Sequence, residues 1–234
     1  MIATEKDLVP YEKSPLPEGG WLVLAPHPDD ESIGMGGTLV LGTQKRIKIK
    51  LIWVTNGEKG GEPSQRRQES LQVSKKLNLN DVEFWNLPDR AVNLHLNLLA
   101  KKLQKLPLER FKTIFIPSFI EFHPDHRAVS LGVLAFLKEI SWPGEIWLYE
   151  ITRQGEINRL IVIDQVIEQK KVLLKCYQSQ LRQIPYQEIA LSLNKLRSYS
   201  LSHMGCRFAE GFLAGKIHDL FDIWKNLLKT YFLI

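Results

Sequence analysis

The stretch that decides the fold is WLVLAPHPDDESIGMGGTLVL, residues 21–41. Its first five residues, Trp21 to Ala25, are apolar without interruption, the pattern of a strand buried on both faces of a sheet. Turn-forming residues fill 26–32, and a glycine-containing segment from Ile33 to about Lys45 reads as a helix. Ile47 to Thr55 returns as a second strand, so the chain opens with a β-α-β unit. Working outward, Ser64 is placed to N-cap a helix carrying Leu71, Ser74 and Leu77, and Val82 to Trp85 reads as a third strand. Leu96, Leu99, Leu103 and Leu106 form an amphipathic helix stripe, followed by a buried strand at Thr113 to Ile116. Pro124 starts a helix running to about Glu139, and Glu145 to Tyr149 is a fifth strand. A strand at Leu160 to Ile163 and a helix from about Gln165 to Tyr177 follow. The last helix carries Ile217, Leu220, Phe221, Trp224 and Leu228. Short strands alternating with helices call for right-handed crossovers. The predicted fold is a Rossmann-like three-layer α/β/α sandwich with a mostly parallel sheet.

At 234 residues the chain suits one α/β domain, 1–234, preceded in its first 20 residues by a polar, Pro/Gly-rich N-terminal extension. Hydrophobic residues at 44% exclude a disordered chain. Glu5, Lys6 and Asp7 deny the N-terminus the apolar core of a secretory signal, and no apolar run reaches the ~20 residues of a membrane span. Cys176 and Cys206 lie thirty positions apart without CxxC spacing, which implies neither a disulfide framework nor a thiolate zinc site. The expected compartment is therefore the reducing cytoplasm. The net charge of +5 is dispersed along the chain; it argues against nucleic acid as a partner and mildly favours an anionic group on a small substrate. A homo-oligomer is compatible with this composition.

Metal-capable residues concentrate in two clusters, Pro26-His27-Pro28-Asp29-Asp30-Glu31 and His123-Pro124-Asp125-His126. Each lies just past the carboxyl end of a predicted strand, where open α/β sheets bind ligands. In a 3-2-1-4-5 strand order the first and fourth strands flank the switch point, and the clusters face each other. Taken alone, each reads equally well as a helix cap or turn. Together they supply two imidazoles and a carboxylate with a position left for water, the arrangement of a catalytic zinc ion. His27 and Asp30 are both able to aim at one ion, and the second cluster provides the remaining imidazole. His123 precedes a proline and is biased to extended backbone, whereas His126 falls in the first helical turn, so one ligand and one free imidazole is the preferred split. We take His123 as the free one, an oxyanion and leaving-group partner, with Asp125 able to orient or charge a neighbouring imidazole. Asp29 is left as general base for the water. Gly34-Met35-Gly36-Gly37 lacks the third glycine of a dinucleotide fingerprint and reads as close packing of helix on sheet. His95, His203 and His218 have no paired partners in sequence.

These motifs resemble those of the LmbE-like, or PIG-L-like, zinc-dependent N-deacetylases that act on N-acetylglucosamine conjugates. PHPDDE and HPDH stand in the family's order, and Thr55-Asn56-Gly57-Glu58, Arg66-x-x-Glu69, Leu87-Pro88-Asp89, Tyr177-x-Ser179-Gln180 and Phe208-Ala209-Glu210 extend the resemblance. It implies that His27, Asp30 and His126 hold zinc, that Asp29 is the base, that His123 assists at the oxyanion, and that Arg66 and Asp89 approach the sugar. Pro26 stands where alanine is common, and Tyr177 where histidine often precedes x-Ser-Gln; the latter puts a substrate role for that segment in question. The expected substrate is a small N-acetylated sugar conjugate. The rivals are a zinc amidase for larger amides, a catalytically silent sugar- or metal-binding module, and a dinucleotide enzyme. Phe119, Ile120 and Phe122 are candidates to contact a lipid or nucleoside aglycone, or to be ordinary loop packing.

Overall fold

The computed structural model of the chain describes residues 9–232, with side chains described through residue 226. The first part of the polar N-terminal stretch and the side chain of Leu228 lie outside the described residues. In chain order the strands are β1 (Trp21–Ala25), β2 (Ile49–Thr55), β3 (Val82–Leu87), β4 (Thr113–Pro117), β5 (Glu145–Tyr149), β6 (Arg159–Val162) and β7 (Ala209–Gly215). The helices are α1 (Asp30–Gln44), α2 (Pro63–Lys76), α3 (Leu96–Leu103), α4 (Pro124–Glu139), α5 (Ile167–Leu174), α6 (Gln178–Leu181), α7 (Tyr186–Arg197) and α8 (Ile217–Phe232). One seven-stranded sheet runs β3-β2-β1-β4-β5-β7-β6. β1 to β5 are mutually parallel, and β7 runs antiparallel to both β5 and β6.

Every residue of β1 is buried, and the pleat sends alternate side chains into two separate cores. Trp21, Val23 and Ala25 join the side of α1, α2, α5 and α7, while Leu22 and Leu24 join that of α3, α4 and α8. The expected sandwich is thus the observed one, and the 3-2-1-4-5 order holds for its first five strands.

Local differences have local causes. α1 begins at Asp30, three residues ahead of the expectation, because the Asp29 carbonyl accepts from Ser32 and Ile33 and starts the helix early. α2 is capped by Glu62, with Ser64 as the donor to its carboxylate and Pro63 in the first turn, so Ser64 is not the N-cap. α3 ends at Leu103, leaving Leu106 beyond the helix but still packed on the core. The helix expected over 165–177 is a short 3₁₀ turn, Asp164–Val166, followed by α5, which stops before Tyr177. Sequence periodicity gave no indication of α7 or β7.

The glycines of α1 do what close packing requires. A Cβ at Gly34 would sit 2.4 Å from the Tyr149 ring and 2.7 Å from the Glu150 carbonyl; one at Gly37 would meet Ile163 at 2.7 Å. At Gly36 the nearest atom is the Lys170 Cγ methylene 3.3 Å away, a tight contact without overlap. Gly34→Ala is therefore expected to lose about 1–3 kcal/mol to overpacking, whereas at Gly36 the helix-propensity gain of about 1 kcal/mol offsets the crowding. Urea unfolding midpoints decide this, and equal destabilisation by the two substitutions would contradict it.

Candidate metal centre and pocket

The turn after β1 brings His27, Asp29 and Asp30 to the carboxyl edge of the sheet, and the turn after its neighbour β4 brings His123 and His126 to the same edge. His27 Nδ1 lies 3.1 Å from Asp30 Oδ2 and 3.1 Å from His126 Nε2, and the last two atoms are 3.2 Å apart. These edges are close to the ~3.3 Å of a tetrahedron with metal–ligand bonds of about 2.0–2.1 Å. On its other side His27 Nε2 lies 3.2 Å from both Asp125 Oδ2 and Asp89 Oδ1. Two carboxylates fix the proton on Nε2 and direct the Nδ1 lone pair into the triangle. Three lone pairs aimed at one point repel unless a cation sits among them, so the donor set fits a metal ion.

The electrostatics agree. Burial alone would lower the His27 pKa, but bonds to Asp125, Asp30 and Asp89 carry it well above its ordinary value. Burial would raise Asp30, yet the positive charge of His126 and His27 holds it far below the usual carboxylate range. The site therefore draws in positive charge, whether proton or metal. Two other groupings bring ligand atoms within 4.8 Å of one another: His27, His123 and His126, and His27 with Asp89, His123 and Asp125. Both draw on residues that also make hydrogen bonds, as does Asp30 Oδ2, which accepts from the His27 amide at 2.8 Å. His123 Nδ1 accepts from the Asp125 amide at 3.2 Å. Asp125 accepts from the Arg90 and Val92 amides, and Asp89 from that of Lys59. The triangle of His27, Asp30 and His126 differs from them in having its three donor atoms all within 3.2 Å of one another.

Asp29 occupies the N-cap position of α1 but makes no side-chain cap bond, and its φ of 119° is a conformation that L-residues rarely adopt. Such strain costs of order 1–3 kcal/mol and here turns the carboxylate toward the pocket. Burial raises its pKa well above the ordinary value, although Arg66, 3.4 Å away, works against the shift. Arg66 also donates to the carbonyls of Gly57 and Pro28 at 2.9 and 2.6 Å. Gly57, at φ 63°, leaves room for it: a Cβ there would lie 2.1 Å from the guanidinium. Arg66 and Asp89 both line the pocket, and both brace protein groups around it. His123 has the extended backbone its following proline predicts, and burial and the nearby His27 and His126 lower its pKa to about 4. Asp125, expected to serve an imidazole, serves His27 through its carboxylate and His123 through its backbone N–H.

The pocket encloses about 490 Å³. Lys59 and Arg90 stand on one rim, and among the described residues neither side chain is ion-paired. Ile151, Thr152, Gln180, Gln183, Ile184 and Tyr186 also line the pocket; of these only Gln180 stood in a motif of the sequence, and the others come from connections and the start of α7, which no motif marked. Tyr177, the family departure, is buried and donates to Glu31 Oε1 at 2.6 Å, bracing the PHPDDE turn from behind. Glu69 accepts from Ser179 Oγ at 2.6 Å, which joins the Arg66-x-x-Glu69 and Tyr177-x-Ser179-Gln180 motifs. Among the described residues His95, His203 and His218 stand in none of the possible metal groupings.

Residues 22–137 match the family model described as PIG-L, GlcNAc-PI de-N-acetylase. The probable N-acetyl-alpha-D-glucosaminyl L-malate deacetylase 2 of Bacillus subtilis is 28% identical over 182 residues, covering 68% of this chain and 82% of the relative. The crystal structure of the conserved protein TT1542 of Thermus thermophilus superposes with a TM-score of 0.72 at 25% identity, covering 84% of this chain and 94% of that one. The fold is also that of GalB, a 4-carboxy-2-hydroxymuconate hydratase of Pseudomonas putida, with a TM-score of 0.63 at 15% identity over 84% and 96% of the chains, so architecture alone does not select a reaction.

Because the Asp125 carboxylate fixes the His27 tautomer, Asp125→Ala is expected to weaken metal binding about 10- to 100-fold in a competition titration with a chromogenic chelator. Unchanged affinity would remove Asp125 from that role. Motif order and site geometry agree with the match over residues 22–137: across that stretch the chain is similar to the PIG-L, or LmbE-like, family of de-N-acetylases.

Proposed function

We propose that the protein removes the acetyl group from an N-acetylglucosamine-type conjugate, with zinc held by His27, Asp30 and His126. The observation that carries this reading is the 3.1–3.2 Å triangle of those residues with the strained Asp29 carboxylate beside it and unused by any helix cap. A mixed nitrogen and oxygen donor set suits zinc, which when bound supplies a Lewis acid for the amide carbonyl and for water. A purely structural zinc site closes all four positions with protein ligands and has no use for such an acid.

The chain's own groups account for the proton movements. Asp29 takes a proton as water oxygen bonds to the acetyl carbon. His123, with Nδ1 accepting from the Asp125 amide, presents its Nε2–H as donor to the charge developing on the carbonyl oxygen. The C–N bond then breaks, and the proton held by Asp29 passes to the departing nitrogen, leaving amine and acetate. The relative that acts on a malate glycoside and the unpaired Lys59 and Arg90 at the rim together support an anionic aglycone.

Acetate release from a panel of N-acetylglucosamine glycosides tests the reading, and no release from any of them by metal-loaded protein would overturn it. Asp29→Ala is expected to keep the metal, by elemental analysis, and lose at least ~100-fold in turnover, while His126→Ala loses the metal itself. Normal turnover in the former would exclude Asp29 as the base. Replacing Lys59 and Arg90 together by Ala is expected to raise KM several-fold for the malate glycoside and leave the methyl glycoside unaffected. Equal effects on the two glycosides would remove the rim cations from aglycone binding.

A further inference from the structure

The three apolar residues before His123 have different fates. Phe119 is buried at 4% exposure and Ile120 packs on the core, but Phe122 is 66% exposed and lines the pocket beside His123. Leaving so much apolar surface in water forgoes the stabilisation of burying it. An exposed ring in a loose loop needs no explanation; this one is clamped. Arg127 donates to the carbonyls of Glu121 and Phe122 at 3.0 and 3.2 Å. Glu121, fully buried, accepts from the Ile151 amide at 2.8 Å and from the Thr152 hydroxyl at 3.0 Å. The Arg153 guanidinium lies 5.1 Å over the Phe122 ring and donates to the Ile120 carbonyl. The fold thus holds a largely exposed aromatic ring, with Arg153 over one face, on a fixed backbone at the pocket and next to His123.

We propose that Phe122 is the platform on which the substrate's pyranose ring lies while its acetamide reaches down to His27, Asp30 and His126. This rests on the amino-sugar reading above. A gluco-configured ring carries its hydroxyls around the equator and polarised C–H groups on its faces, and such C–H groups are attracted to the negative face of an aromatic ring. The hydroxyls stay in water or reach Gln180 and Gln183 among the lining residues. A platform of this kind selects a ring over an acyclic N-acetyl amine, which the triangle and Asp29 would otherwise treat alike. Phe122 is therefore a specificity-determining residue, acting on the sugar and not on the acyl group.

The two product halves separate these roles. Isothermal titration of metal-loaded wild type, Phe122→Ala, Phe122→Leu and Phe122→Trp is carried out with methyl β-glucosaminide and, separately, with acetate. Phe122→Ala and Phe122→Leu are expected to weaken the glucosaminide about 3- to 10-fold with acetate unchanged, and Phe122→Trp to retain wild-type binding. Equal weakening of both ligands would mean that the substitutions damage the His123 turn, and wild-type glucosaminide binding in Phe122→Leu would mean that the aromatic face is dispensable; either overturns the proposal. Acetate release by wild type is scored independently. Its absence overturns the deacetylase reading, whereas release accompanied by glucosaminide binding insensitive to residue 122 overturns the platform alone.

Discussion

The imidazole of His27 is the joint on which the site turns. One nitrogen faces Asp30 and His126; the other is held between Asp89 and Asp125. Those four partners come from three different connections, so the ring reads the sheet order directly. It is satisfied only if β3, β2, β1 and β4 end side by side at one edge. The parallel pairing of β1 with β4, through Trp21 to Val23 and Thr113 to Phe115, sets the two turns at the separation the ring requires. A change of order would separate His27 from Asp89, Asp125 and His126, and buried charge left uncompensated in that way costs several kcal/mol. Fold and site therefore constrain one another.

Holding Asp29 in a strained conformation takes a firm helix behind it, and α1 is anchored along its length. Glu31 receives bonds from Ser32, Trp53 and Tyr177. Further along, Met35 leaves helical geometry, and the amides of Gly37 and Thr38 that the kink frees donate to the Glu210 carboxylate at 2.8 and 2.7 Å. Lys170, with no exposed surface, closes the arrangement by bonding Glu210 at 2.7 Å and the Ile33 carbonyl at 2.9 Å. A buried lysine is tolerable only when its charge and donors are met in this way. The Phe208-Ala209-Glu210 motif, more than 170 residues from Gly37, thus acts on the catalytic turn through the helix.

Much of this was legible because it is local. Strands β1 and β4 are short apolar runs, and the Pro after His123 presets its backbone, so the two clusters could be placed at the sheet edge before any coordinates. The expected ligand set, His27, Asp30 and His126, rests on residue type, the proline constraint and the family resemblance together. What sequence could not carry is long-range satisfaction of buried polar groups. Nothing in the run around Tyr177 states that its hydroxyl meets Glu31, nor around Asp89 that its carboxylate meets His27. α7 escaped notice because only Ala190, Asn194 and Arg197 are buried in it, two of them polar. β7 reads Ala-Glu-Gly-Phe-Leu-Ala-Gly, where two glycines and a buried glutamate mask a strand that is nonetheless almost wholly buried. In both, tertiary contacts overrode local pattern.

The division of the pocket follows the same line. All the residues assigned to chemistry fall between 27 and 126, inside the stretch that matches the family model. The wall opposite them, from Ile151 and Thr152 to Gln180, Gln183, Ile184 and Tyr186, comes from beyond residue 137, where the match ends. Chemistry demands donor atoms fixed to a few tenths of an ångström, and such positions tolerate little change. A wall that only shapes the ligand's outer half is free of that demand and is built here on short helices and connections. Phe122 sits at the seam, its carbonyl held by Arg127 and its ring under Arg153 from the later part of the chain. Within one fold, the groups assigned to the reaction come from the connections after the first four strands, and part of the pocket's lining comes from the last hundred residues.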